Sequence, residues 1–122
     1  MTANSFEELK IWQKAIEIGQ EIYQLADANP LKHDFKSRDQ IIGAVVSISN
    51  NIAEGFEYNS KSQFIKFLYY AKGSAGEVRS QLALLVKVGR VSNEQYEKLR
   101  PELISLSAQI KSLINYLENK KS

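Results

Sequence analysis

At 122 residues, 25% of them charged and 43% hydrophobic, the chain has the size and composition of one ordinary globular domain. Sixteen Lys+Arg against fourteen Asp+Glu leave a formal charge of +2, too small to indicate nucleic-acid binding by itself. The chain has no cysteine, so disulfides, thiolate catalysis and cysteine-ligated zinc are excluded. The opening Met1-Thr2-Ala3-Asn4-Ser5-Phe6-Glu7-Glu8 lacks the basic and apolar regions of a signal peptide, and no apolar run approaches the roughly 18 residues of a membrane span. A cytoplasmic protein without a membrane partner is therefore expected.

Four Ser-x-x-Glu/Gln boxes punctuate the chain, at Ser5…Glu8, Ser37…Gln40, Ser60…Gln63 and Ser92…Gln95. In such a box the serine oxygen accepts from a backbone N–H three residues on, and the Glu or Gln side chain bonds back to the serine N–H. Each precedes a segment of helical period. The first carries Leu9, Trp12, Ile16, Gly19, Tyr23 and Ala26 in steps of three and four and should stop before Asn29-Pro30. The second, from Gln40 to Ala53, holds no charge. At about 100° per residue, Ile41, Val45, Ile48 and Ile52 form one apolar stripe, with Ile42, Val46, Ser49 and Ala53 beside it. A helix without a solvated face has to be enclosed; it should end near Gly55.

The third segment presents Phe64, Phe67, Leu68, Ala71, Ala75, Val78, Leu82 and Leu85 to the core, with Gly89 suited to its C-terminal cap. The fourth repeats Tyr96, Leu99, Leu103, Leu106, Ile110, Leu113 and Leu117, and Pro101 inside it predicts a bend, since the pattern continues beyond it. The tail from Asn119 to Ser122 should fray. Links are short apart from residues 29–36, and nothing alternates with strand period. The prediction is all-α: one domain over residues 1–122, an up-down-up-down antiparallel four-helix bundle.

Three sets of residues stand out as candidate sites. Gln40, Ser47, Asn51 and Glu54 step along one flank of the second helix, and Ser74 falls near the core stripe of the third. They read either as a hydrogen-bonded structural network or as a polar pocket with Glu54 as a catalytic carboxylate. Polar groups placed there and left unpaired would cost about 1–3 kcal/mol each. The lone histidine, His33, falls in the long link, so a di-iron site of inward carboxylates and Glu-x-x-His pairs is missing, and no metal or other cofactor is expected. On the third helix Tyr69, Gly73, Gly76, Ser80 and Ala83 share a face away from the core stripe. Mid-helix glycine costs about 1 kcal/mol relative to alanine, so a close-packed subunit interface is expected there. Lys61, Lys72, Arg79 and Arg90 fall within about 20° of one another on the same wheel, and with Tyr69 and Tyr70 they are candidate contacts for RNA or single-stranded nucleic acid.

The blocks Phe6-Glu7-Glu8-Leu9, Trp12-Gln13-Lys14-Ala15, Gln40, Ser47-Ile48, Asn51-Ile52-Ala53-Glu54-Gly55, Phe64, Phe67-Leu68, Ala71, Gly73-Ser74 and Glu77 carry a resemblance spanning nearly the whole chain. The sequence resembles the four-helix bundle proteins named for the intervening sequences of bacterial 23S rRNA genes. That resemblance implies an up-down bundle, frequently a homopentamer, without an established catalytic activity. A distantly similar group serves the reverse transcriptase of diversity-generating retroelements, where a basic bundle binds nucleic acid. The chain departs from the family pattern at Ile42 and Gly43, where arginines are frequent, and at Phe56-Glu57-Tyr58-Asn59, a loop that is often basic. The function expected is a non-enzymatic oligomeric scaffold or adaptor, with RNA or a ribonucleoprotein as partner. The alternative is an enzyme acting through a polar pocket around Glu54, with nucleic acid as its substrate; the lack of histidine clusters, phosphate-binding glycine loops and paired acidic motifs favours the scaffold.

Overall fold

The computed structural model describes residues 3–120; Met1, Thr2, Lys121 and Ser122, with the end of the tail, lie outside them. Helices α1 (Lys10–Ala26), α2 (Phe35–Glu57), α3 (Lys61–Lys87) and α4 (Asn93–Asn119) account for most of the described chain, which contains no strand. α1 packs on α2 and α4, α3 packs on the same two, and the diagonal pairs do not meet. Residues that meet rise in number on one helix as they fall on the next. Ser47 reaches Ser74 while Gly55 reaches Phe67, Tyr69 reaches Lys111 while Lys61 reaches Lys120, and Lys14 reaches Glu102 while Glu21 reaches Lys98. The helices are therefore antiparallel neighbours in a closed square.

Two of the four serine boxes cap a helix as expected. Ser60 Oγ accepts from the Gln63 N–H at 3.4 Å, and Ser92 with Gln95 completes a reciprocal box at 3.0 and 2.9 Å. The other two do not. Ser5 precedes only a 3₁₀ turn, Phe6–Glu8, and the Glu8 carboxylate accepts instead from the Asn4 N–H at 3.1 Å, so α1 starts at Lys10 with Leu9 at its cap. On α2 the cap is Asp34, which accepts from the Ser37 N–H at 3.3 Å, so Ser37 lies inside the first turn. An aspartate caps as well as a serine, and Arg90 from the α3–α4 link binds the same carboxylate at 3.0 Å. The hydroxyl and N–H of Ser37, and then Arg90, hold the Asp34 carboxyl below its ordinary range.

α2 runs through Gly55 to Glu57. Gly55 is where α3 comes closest, since a Cβ there would lie 2.7 Å from the Phe67 Cβ. Tyr58, just beyond, stacks on the Phe67 ring at 5.3 Å and closes the α2–α3 hairpin. Gly89, at φ +79°, turns the chain out of α3 as expected of a cap glycine. Pro101 sits inside α4 without ending it.

The core follows the expected stripes on α2, α3 and α4, except that Ile114 and not Leu113 is fully buried near the end of α4, and it departs from them on α1. There the buried residues are Ile11, Ala15, Ile18, Ile22, Leu25 and Ala26, while Ile16 and Tyr23 are 37% and 44% exposed. Both sets have helical spacing. The second lies about 100° round the wheel from the first, and only the direction of α2 and α4 selects between them. α1 thus carries an apolar arc wider than the bundle can cover.

At the α1–α4 contact Glu21 and Glu102 face each other between Lys14, 3.2 Å from Glu102, and Lys98, 3.7 Å from Glu21. The Oε2 atom of each carboxyl, the one not facing a lysine, is buried without a donor, which one proton shared between them would satisfy. Burial, and then the hydrogen bond and charge of Glu102, raise the Glu21 carboxyl above its ordinary range, with Lys98 and Lys14 opposing. Between the unfolded pKa and the raised folded one, the folded state therefore holds more proton than the unfolded chain. The stability this contributes is complete below the unfolded pKa and is lost as pH rises through the raised one. Glu21→Gln should have a higher Tm than the wild type at pH 7.5, with the difference shrinking toward pH 4, in thermal melts followed by circular dichroism.

Candidate interaction surfaces

Three surfaces bring together the residues that the sequence singles out. The first is the seam between α2 and α3. Asn51 Nδ2 donates to the Ser47 carbonyl at 2.8 Å and to Ser47 Oγ at 2.9 Å, and Ser47 Oγ lies 2.9 Å from Ser74 Oγ. Since Ser47 Oγ accepts from Asn51, its own proton is free for Ser74. A turn of backbone, two hydroxyls and an amide are thereby satisfied across the helix pair. Gln40 and Glu54, expected in the same network, are exposed beyond its two ends. Among the described residues neither makes a side-chain hydrogen bond. The reason is axial: Gln40 lies about two turns before Ser47 and Glu54 about one turn past Asn51.

The second surface is the α1–α2 groove. Ala15, Ile16, Gly19 and Tyr23 from α1 meet Val45, Val46 and Ser49 from α2 around a cavity of about 380 Å³. The polar groups on its rim, Gln20 and Gln24, are uncharged. Ser49 needs no partner from outside, because its hydroxyl donates to the Val46 carbonyl at 3.2 Å. Gly19 and the nearby Gly43 have open space where a Cβ would stand, so no contact within the chain requires either glycine. The charge-free segment of α2 thus keeps an apolar edge, at Val46, that the chain's own helices leave partly uncovered.

The third surface is the outer flank of α3 along α4. Tyr69, Gly73 and Ser80 are exposed, and Gly76 and Ala83 are half-buried. Added Cβ atoms at Gly73 and Gly76 would meet nothing within 4 Å, so no helix of this chain approaches closely there. The Tyr69 hydroxyl accepts from Lys111 Nζ at 3.1 Å, and that ammonium also lies 5.2 Å from the Tyr69 ring centroid. The hydroxyl, with the Glu118 charge, raises the Lys111 pKa above its ordinary value.

Lys61, Lys72 and Arg79 line this flank as expected; Arg90 does not. α3 ends at Lys87, and the turn at Gly89 swings Arg90 back to Asp34 at the opposite end of α2. Two cations of α4 take its place. Arg100 and Lys111 project from the flank of α4 that faces α3. Their separation matches that of Lys61 and Lys72, about three helical turns, and this shared step is the signal by which the sequence could have revealed them.

Residues 7–112 match the family profile described as 23S rRNA-intervening sequence protein, and the chain belongs to that family. It is also similar to a crystal structure from Bacteroides thetaiotaomicron, described as a protein of unknown function from the S23 ribosomal protein family. The TM-score is 0.76 at 28% identity, over 85% of this chain and 97% of that one. Comparison with curated proteins gave no match. Neither description names a catalytic activity. Among the described residues no helix is long and apolar enough to cross a membrane, and no three metal-ligating side chains gather in one place.

Ser74→Ala removes one partner from a part-buried pair and should cost about 1 kcal/mol, or about 4–8 °C in Tm for a domain of this size. Glu54→Ala, at an exposed carboxylate, should stay within about 0.5 kcal/mol of the wild type. Thermal melts of the two variants side by side check the assignment.

Proposed function

We propose that this chain is a non-enzymatic, homo-oligomeric helical-bundle scaffold of the cytoplasm that associates with RNA or a ribonucleoprotein. The observation that carries this reading is the uncharged α1–α2 groove, an apolar surface left uncovered by the chain's own helices. Contiguous apolar surface of this kind is an aggregation liability unless a partner covers it. A second copy is the occupant in this reading, because two such faces can meet without like charges opposing each other. A closed ring hides the face on every subunit, and five subunits is the number that the family resemblance implies. The Tyr69/Gly73/Gly76/Ser80/Ala83 face is the weaker candidate interface, since self-contact there would press Lys72, Arg79 and Lys111 against their own copies.

The RNA part of the proposal draws on the family's description and on the cationic α3–α4 flank. The enzymatic alternative required Glu54 in an enclosed polar pocket. Its carboxylate is exposed, which favours the scaffold.

Val46→Arg places a charge in the α1–α2 groove and should convert the assembly to a 13.8 kDa monomer with its helix content intact. Light scattering coupled to size exclusion, with far-UV circular dichroism, reads both quantities. Dissociation by Gly76→Leu but not by Val46→Arg would move the interface to α3, and a monomeric wild type at micromolar concentration would end the oligomer reading.

A further inference from the structure

The cations of α3 and α4 share one groove. On helical wheels oriented by the Ser47–Ser74 and Lys111–Tyr69 contacts, Lys61, Lys72 and Arg79 lie on the side of α3 toward α4, and Arg100 and Lys111 on the side of α4 toward α3. Antiparallel pairing sets Lys111 beside Tyr69 and places Arg100 near the level of Arg79. The only acids on the two facing flanks are Glu118 at the Lys61 end and Glu97 at the Arg100 end. Between them every charge among the described residues is positive, and Ile65 and Ile104, the latter 37% exposed, stand among the cations.

Lys72 and Arg79 are half-buried, yet among the described residues neither they nor Arg100 make an ion pair or a side-chain hydrogen bond. Elsewhere on this protein cations of similar burial are paired: Lys14 with Glu102, Arg38 with Asp27 and Arg90 with Asp34. Three cations on one flank without a partner in the chain leave their charge for a polyanion to neutralise. From Lys61 to Arg79 the row runs about 27 Å at 1.5 Å per residue. Its length suits one strand of phosphates, and the exposed Gly73 and Ser80 beside it leave the outer face of α3 open to that strand.

We propose that the α3–α4 groove binds one phosphodiester strand, backbone inward, through Lys72 and Arg79 of α3 and Arg100 and Lys111 of α4. The Tyr69 ring, 43% exposed and beside Lys111, offers a face on which one base of that strand stacks. The proposal rests on the RNA association put forward above and assigns it a site.

The test measures fluorescence anisotropy of three labelled 12-nucleotide probes of one sequence (single-stranded RNA, single-stranded DNA and duplex RNA) at 50 and 200 mM salt. Lys72→Glu/Arg100→Glu reverses one cation on each helix, neither of which supports the fold. Lys32→Glu/Lys36→Glu makes the same charge change on the link and first turn of α2. The groove variant should lose about tenfold or more in affinity for single strands, and its salt slope should fall by about 1.4, at roughly 0.7 per phosphate contact. The control should change neither by more than about twofold. If the reversal fails to fold, Lys72→Gln/Arg100→Gln takes its place, with the same slope change expected.

Equal losses in the groove and control variants would overturn the groove while leaving RNA association standing. Tighter binding of the duplex than of either single strand would overturn the single-strand assignment. No binding of any probe by the wild type at 50 mM salt would overturn both the groove and the RNA association. Equal retention of RNA and DNA single strands would support the groove and remove the preference for RNA.

Discussion

The bundle depends on how closely α3 lies against α2. At Gly55 the two backbones approach until a single added methyl would strike Phe67 at 2.7 Å. Twelve angstroms further along, at about 1.5 Å per residue, the same closeness lets Ser47 and Ser74 share a hydrogen bond. Hydroxyls reach only as far as their own short side chains, so the polar seam and the missing Cβ at Gly55 impose one spacing on the pair. With that spacing set, Ile41, Val45, Ile48 and Ile52 can be fully covered from three sides. A helix so short of charge has no other stable place.

Covering one side of α2 so thoroughly leaves the other to be explained. α1 is offset enough that Ile16 and Tyr23 fall outside the core, beside Val46. The result is a molecule with two unlike sides. The α1–α2 groove is apolar and uncharged; the α3–α4 side carries unpaired cations. A net charge of +2 conceals this division, because the acids concentrate elsewhere: Glu21 and Glu102 between α1 and α4, Asp27 and Asp34 around the link before α2. Such separation suits a scaffold that meets its own copies through one side and a polyanion through the other.

The contact between α1 and α4 is of a third kind. Two carboxyls and two lysines meet there, and the carboxyls face each other closely enough that burial and their mutual charge favour a shared proton. Apolar packing elsewhere carries the fold, and this seam sets two carboxyls against each other with a lysine at either end.

From the sequence alone came the number of helices, their order, the buried stripes of α2, α3 and α4, the serine caps of α3 and α4 and the turn at Gly89. All of these are encoded within a few residues of where they act, by apolar period, capping chemistry or a conformation that glycine adopts at little cost. The candidate sites were legible only in part. Ser47, Asn51 and Ser74 belong together as their spacing suggests, whereas Gln40 and Glu54 share that periodicity and lie exposed beyond the two ends of the network. Arg90 matches the wheel of α3, yet the helix has ended before reaching it. On α1 two apolar stripes of equal quality compete, and no local rule chooses between them. Tertiary structure decided these points, because the direction in which a side chain points becomes burial or exposure only once neighbouring helices take their places.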